Sequence, residues 1–324
     1  MESLRAITTI YTDHNVFSKE LKKIKKQSKS NTRYNMNPEK YVIITPVRDE
    51  EAYLEHTIKS IISQTTKPTG WIIVNDGSTD NTGRIINRYS QQYSWIHAIH
   101  RENRGFRKSG GGVVEAFYEG YESVKSSNWD FIVKLDGDLG FSADYFERCF
   151  QHFRKNPKLG IGGGVILNVV NGRLLPEKHP HFHVRGATKI YRRQCWDAIG
   201  GLIKSPGWDT IDEVKANMHG WQTQSFSETK LIHYRYTGQA DGTWRNHVKN
   251  GRGSYISGYH PLFMLFKCLK RAFQRPYIMG SLGLLCGFAS GYVWRIPRVN
   301  DKELITYIRR QQLNRLLMRE SIWK

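Results

Sequence analysis

Two stretches constrain this chain most. Trp71-Ile72-Ile73-Val74-Asn75-Asp76-Gly77-Ser78-Thr79-Asp80 and Trp129-Asp130-Phe131-Ile132-Val133-Lys134-Leu135-Asp136-Gly137-Asp138 are each a short apolar run that stops abruptly in carboxylates and glycine. Runs of this length and β-branched character read as buried strands. In an open parallel sheet, ligands bind beyond the carboxyl ends of the strands. Two strands therefore deliver acids to one rim, and the function is expected there. Tyr41–Pro46 is a third such run, stopped by proline. Leu54, Ile58, Ile61 and Ile62 follow at helical spacing, so the region reads as a strand–helix–strand unit with parallel pairing. Asp49, Glu50 and Glu51 suit the first turn of that helix.

Further along, a helix is expected from Thr82 to about Tyr93 and a short strand near Ile96–Ile99. Asn103–Gly112 is a basic, glycine-rich loop that opens a helix carrying Val113, Val114, Phe117, Tyr121 and Val124. Glycines let backbone N–H groups approach a phosphate, and a helix N-terminus adds positive potential. No GK[ST] closes the loop, so it is not a Walker loop; a plain surface loop is the alternative. Ala143–Arg154 reads as a helix with Tyr145, Phe146, Phe150 and Phe153 on its apolar face, and Ile161–Val170 as a strand. His179, His181 and His183 are close enough to bind a metal, although Pro180 argues against a regular strand and leaves a substrate-side loop as the other reading. Tyr191–Ile199 reads as a helix closed by Gly200-Gly201. Another helix opens at Gly207-Trp208-Asp209 and stops at Gly220. There Asp209 reads either as an N-cap or as a functional acid, and Asp212 and Glu213 as first-turn acids. Thr229–Arg235 completes the α/β region.

In order, these motifs resemble a family 2 glycosyltransferase of the GT-A fold, over about residues 41–237. Pro46-Val47-Arg48-Asp49-Glu50-Glu51 is similar to that family's first loop, with Arg48 and Asp49 departing from the usual P-x-Y-N-E-E. Asn75–Asp80 is close to its D-D-G-S-T-D. Asp136-Gly137-Asp138 resembles its D-x-D metal motif. Trp208-Asp209 stands where it has an E-D pair, and His233 where a histidine follows its last core strand. The resemblance implies an α/β, Rossmann-like sheet, mixed but mainly parallel, flanked by helices. It implies an inverting hexosyl transfer from a nucleotide-sugar, UDP-sugar foremost, assisted by Mg²⁺ or Mn²⁺. On it, Asp209 is the catalytic base. Pro46, Asp49, Asp76, Arg107, Lys108 and Asp136 bind the nucleotide, and Asp138, Asp136 and His233 hold the metal. The chemistry is coherent. A departing diphosphate gathers negative charge that a hard cation neutralises through oxygen ligands. Asp76 can accept from a pyrimidine N3–H, which suits uracil better than adenine. Relatives of this kind often serve exopolysaccharide or cell-envelope assembly, which implies a lipid-linked or polysaccharide acceptor.

The chain has 49 basic and 29 acidic residues, a net charge of +20. That excess favours a polyanionic partner without choosing one. No helix-turn-helix or zinc finger is present, so nucleic acid is not expected. Four scattered cysteines form no CxxC and fit a reducing compartment, and the amino terminus has no signal-like apolar run. Residues 1–38 form a basic tail, with seven Lys/Arg and one Glu between Ser18 and Arg33. Residues 39–240 are the expected transferase domain and 241–324 a helical, basic and apolar region. Within the latter, Pro261–Phe273 is amphipathic, and Pro276–Trp294 runs 19 residues without charge and contains Gly283-xxx-Gly287-xxx-Gly291. A packed helix pair, a single membrane span and an in-plane or re-entrant hairpin are the readings. Basic residues on both flanks conflict with the positive-inside rule for a single span and favour the in-plane form on the anionic cytoplasmic leaflet. A nucleotidyltransferase and a polyanion-binding module on a degenerate transferase fold are the competing functions.

Overall fold

The computed structural model describes residues 39–106, 111–170, 173–177, 179–235, 243–273 and 277–323. The basic tail, Arg107 and Lys108 lie outside the described residues. The strands are β1 (Tyr41–Val47), β2 (Gly70–Asn75), β3 (Ile96–His100), β4 (Phe131–Leu135), β5 (Leu139–Phe141), β6 (Leu159–Val170), β7 (Arg173–Pro176), β8 (Thr188–Arg192) and β9 (Gln222–His233). The helices are α1 (Leu54–Ile62), α2 (Thr82–Gln92), α3 (Gly112–Val124), α4 (Tyr145–Lys155), α5 (Arg193–Ile199), α6 (Trp208–Met218), α7 (Thr243–Ile256), α8 (Pro261–Ala272), α9 (Tyr277–Val293) and α10 (Lys302–Leu316). One sheet runs β3-β2-β1-β4-β8-β6-β9-β5, with β7 on β6.

The alternation along β1 sorts the core into two layers. Tyr41 and Ile43 face α1, α2 and α4, burying Leu54, Ile58, Ile86, Phe146 and Phe150. Val42 and Ile44 face α3, α5 and α6, burying Phe117, Trp196 and Trp208. Each fully buried side chain of this kind contributes about 1.5–3 kcal/mol of transfer free energy. A third cluster joins Ile211 and Val214 of α6 to Tyr255, Met264, Leu284, Phe288, Leu304 and Ile308. The carboxyl-terminal helices therefore share a core with α6.

Three expectations need correction. β1, β2, β3 and β4 pair in parallel, but β8 lies antiparallel between β4 and β6, and β5 antiparallel on β9. Parallel and antiparallel pairings balance, so the sheet is mixed rather than mainly parallel. Tyr191 belongs to strand β8, and only Arg193–Ile199 is helical. A fully buried lysine, Lys189, interrupts the strand's apolar pattern, which hides it from a reading by hydropathy. Finally, Asp49, Glu50 and Glu51 precede α1 instead of entering it. Asp49 has a left-handed φ of 54° and accepts from Thr79 N at 2.8 Å. Glu51 accepts from Asn81 N at 2.9 Å. Both acids fasten this loop to the one after β2.

The apolar stretch near the carboxyl end forms the 17-residue α9. Among the described residues no helix is long and apolar enough to cross a membrane. The glycine stripe faces α7: a Cβ on Gly287 would lie 1.9 Å from Val248 O and one on Gly291 2.2 Å from the Tyr255 ring. The outward side of α9 and of α8 leaves Leu265, Phe266, Leu269, Ile278, Leu282 and Leu285 exposed.

Candidate active site

β2 and β4 flank β1 on either side and run parallel to it, so Asp76 and Asp138 come off one rim, with the two strands about 10 Å apart. Each turn is set locally. Asn75 Oδ1 accepts from Ser78 N at 2.9 Å, and Asp76 N donates to Val47 O at 2.8 Å. Between Asp136 and Asp138 only glycine fits, because a Cβ on Gly137 would meet Val47 Cγ1 at 2.5 Å. Thr57 Oγ1 on α1 donates to Gly137 O at 2.8 Å and accepts from Leu139 N at 2.9 Å. The acidic turn is thus clamped from both sides.

Around Asp138 the charges are concentrated. His233 Nε2, at the end of β9, lies 3.2 Å from Asp138 Oδ2, and Arg235 Nε lies 3.3 Å from the same oxygen. Arg235 also pairs with Glu50. Burial alone would raise the Asp138 carboxyl, but His233, Arg235 and Lys134 outweigh it and hold it below the usual range. Burial opposes the charged His233 ring, yet Asp138 outweighs that and raises it. Glu50 is pushed up to about 8 by burial and then by Asp138, partly offset by Arg235. Raised in this way, Glu50 keeps its proton at neutral pH beside the ionised Asp138.

Asp136 turns the other way, to Lys134, whose Nζ also donates to Gly186 O at 2.7 Å. A Cβ on Gly186 would lie 3.2 Å from Asp209 Cβ. The Lys134–Gly186 link therefore joins the β4 rim to the first turn of α6. The N-cap is Gly207, with φ 85°, and Asp209 stands in the first turn of α6. Burial would raise its carboxyl, but His183, Lys189 and Arg185 hold it below the ordinary range. Asp212 and Glu213 prove to be buried anchors rather than solvent-facing first-turn acids. Lys189 Nζ lies 2.9 and 3.0 Å from the Asp212 oxygens and 2.8 Å from Glu213 Oε1. Trp208, which replaces the acid expected before Asp209, packs its ring under both Lys134 and Lys189, 5.4 and 5.6 Å from centroid to Nζ.

Of the expected site residues, Asp138 and His233 meet directly, while Asp136 pairs with Lys134 and Asp209 O accepts from Lys189. Asp76 sits on the same rim, with Arg101 NH1 2.6 Å from Oδ1 and Arg104 NH2 on Oδ2. Pro46 is a buried β1 residue in register with Val74. Asp49 spends its carboxylate on Thr79. The histidines of the 179–183 loop form no three-ligand group: the His179 and His183 rings lie 5.6 Å apart, but His183 bonds Glu213 at 2.8 Å and His179 faces Pro180 O. Among the described residues no three His, Cys, Asp or Glu side chains form a cation cage. Magnesium-like ions bind through one or two protein ligands and complete their shell with water and substrate phosphates. Asp138 supplies the carboxylate such an ion takes, with His233 Nε2 3.2 Å from it. Sequence reasoning missed Glu50, Lys134, Arg101, Arg104 and Arg235. Glu50 lay in view within the first-loop motif; the cations pair across 25 to 185 residues, Lys134 with Asp136 excepted, and carried no local signal.

The model for the family described as Glycosyl transferase family 2 matches residues 42–207, about half of the chain. The uncharacterized glycosyltransferase EpsJ of Bacillus subtilis is 30% identical over 122 residues, 38% of this chain and 33% of that protein. The poly-beta-1,6-N-acetyl-D-glucosamine synthase of Staphylococcus aureus is 28% identical over 116 residues, 36% of this chain and 26% of the synthase. The matched region thus spans about a third or less of these relatives' own length. The solved mannosyltransferase of Pyrobaculum calidifontis, in complex with GDP-Man and Mn²⁺, has a TM-score of 0.52 to this chain. It covers 97% of this chain and 98% of its own at 13% identity, a likeness of fold.

Proposed function

The chain belongs to glycosyl transferase family 2, and from that premise we propose an inverting, metal-dependent transfer of a hexosyl group from a nucleotide-sugar to a hydroxyl. The observation that carries the proposal is that Lys134 pairs with Asp136 and, through Gly186, ties the β4 rim to the first turn of α6 where Asp209 stands. Asp76, steadied by Arg101 and Arg104, accepts the ring N–H of uracil, so a UDP-sugar is the first donor to test. Guanine offers a ring N–H as well, and the mannosyltransferase of similar fold was solved with GDP-Man. Arg107 and Lys108 are placed by sequence beside the diphosphate, and Pro46, Asp49 and Asp136 beside the nucleoside. Asp138 and His233 hold Mg²⁺ or Mn²⁺, with Asp136 near it. When bound, the ion supplies charge neutralisation for the leaving diphosphate.

Asp209 is ionised at neutral pH and accepts the acceptor's hydroxyl proton as its oxygen attacks the anomeric carbon. A single displacement inverts that carbon and needs no enzyme nucleophile. The acceptor is a lipid-linked or nascent polysaccharide hydroxyl at the inner face of a membrane. The exposed apolar sides of α8 and α9, edged by Lys267, Lys270 and Arg271, suit an in-plane seat on an anionic leaflet. Thermal shift against UDP- and GDP-sugars identifies the donor, since bound donor stabilises by RT ln(1 + [L]/Kd). With that donor, Asp209→Asn is expected to bind as the parent does and to lose about 10²–10⁴-fold in transfer. Full transfer by Asp209→Asn refutes the assignment.

A further inference from the structure

We propose that His183, oriented by the buried Glu213, takes over the proton that Asp209 removes from the acceptor hydroxyl. The inference rests on Asp209 as the base. Asp209 and Glu213 are one turn apart on α6 and so share a face. His183 Nδ1 lies 2.8 Å from Glu213 Oε2, and the next residue, Val184, donates its N–H to Glu213 Oε1 at 2.6 Å. From there the segment runs back along α6 until Gly186 abuts Asp209. Glu213 has no exposed surface and is also paired with Lys189. A carboxylate can only accept, so Nδ1 carries a proton, and in the neutral ring Nε2 keeps its lone pair. A carboxylate that orients an imidazole in this way fixes its tautomer and strengthens it as a base.

The step balances. The acceptor O–H proton passes to Asp209 as the new C–O bond forms and the bond from the anomeric carbon to phosphate breaks. It then passes to Nε2 of His183, whose Nδ1–H stays on Glu213. Asp209 returns to its ionised form for the next turnover. An acid held below its ordinary range is a poor store for a proton, and the imidazole that Glu213 orients is the nearby group able to take it on. The groups that act on this ring are Asp209 and Glu213 from α6 and Lys189 from β8, which reaches it through Glu213. From its own loop come His179, whose ring is 5.6 Å away, and Arg185, which is paired with Glu177 at 3.0 Å. Tyr259, beyond α7, is electrostatically coupled to the same two acids.

Long-range ¹H–¹⁵N spectra of the imidazoles in the full chain test the arrangement, with His183→Gln identifying one signal among the 12 histidines. The expected result is the Nδ1–H tautomer and a titration midpoint that falls by roughly half to one unit in Asp209→Asn, as loss of a nearby opposite charge requires. An Nε2–H tautomer, or a midpoint that Asp209→Asn leaves in place, overturns the proposal. With the donor found by thermal shift, His183→Ala is expected to lower kcat about 10–100-fold at an unchanged donor KM, and added imidazole to restore part of it. Parental kcat in His183→Ala, or a loss that imidazole leaves untouched, overturns it too. An Asp209→Asn enzyme of full activity would instead sink the reading of Asp209 itself.

Discussion

Replacing Lys189 by methionine tests how the α6 wall of the cleft is held. The side chain is fully buried and nearly isosteric with methionine, so packing changes little. What is lost is the lysine cation within 3.0 Å of both Asp212 and Glu213, together with a donor to Asp209 O. Removing one partner of a buried charge pair costs about 3–5 kcal/mol, because the other charge stays buried. At about 2 °C per kcal/mol, Tm falls by roughly 6–10 °C. The loss has a pH signature. Asp212 is already raised to about 6, by burial first, against the pull of Lys189. Without the lysine it rises further. A carboxyl raised in the folded state stabilises below its unfolded pKa and loses that contribution as pH climbs through the folded value. Between about pH 6 and 8, Lys189→Met should therefore lose ~1.4 kcal/mol per pH unit more than the parent. Urea unfolding at several pH values measures both quantities. Adding Asp212→Asn to Lys189→Met should recover part of the loss, a positive coupling in a double-mutant cycle. A deficit under about 1 kcal/mol at pH 7.5, or one that is flat with pH, would show that the wall is held by packing and not by this lysine.

Three further outcomes are expected. Asp138→Asn removes a hard oxygen ligand, and the thermal shift produced by Mn²⁺ plus UDP should disappear while UDP alone binds as before; a retained Mn²⁺ increment places the ion elsewhere. Gly287→Ala puts a methyl group 1.9 Å from Val248 O, so α7 and α9 must part, costing about 2–3 kcal/mol in denaturant unfolding; a neutral result would mean the helices give way freely. Leu265→Glu with Leu269→Glu, both on exposed positions of α8, should leave the fold intact and reduce co-flotation with phosphatidylglycerol vesicles by about tenfold or more; undiminished flotation would count against the in-plane seat.

Local pattern alone determined the acid rim. β-Branched runs that break into Asp and Gly are strands ending at an open edge, and neighbours in sequence carry that information. The same holds for α6, bracketed by Gly207 and Gly220, both with positive φ, and for the glycine stripe of α9. Only the tertiary structure decided which charges meet. β8 was hidden because its lysine belongs to α6, twenty or more residues away. Asp212 and Glu213 look like first-turn acids until Lys189 is seen between them. Arg101 and Arg104 reach back to Asp76 across 25 and 28 residues, and Arg235 to Asp138 across 97. Backbone preferences act over one turn or one strand and leave a trace in the sequence. Burial of a charge is settled by whichever partner the folded chain brings within about 3 Å, and that partner's place along the chain is unconstrained.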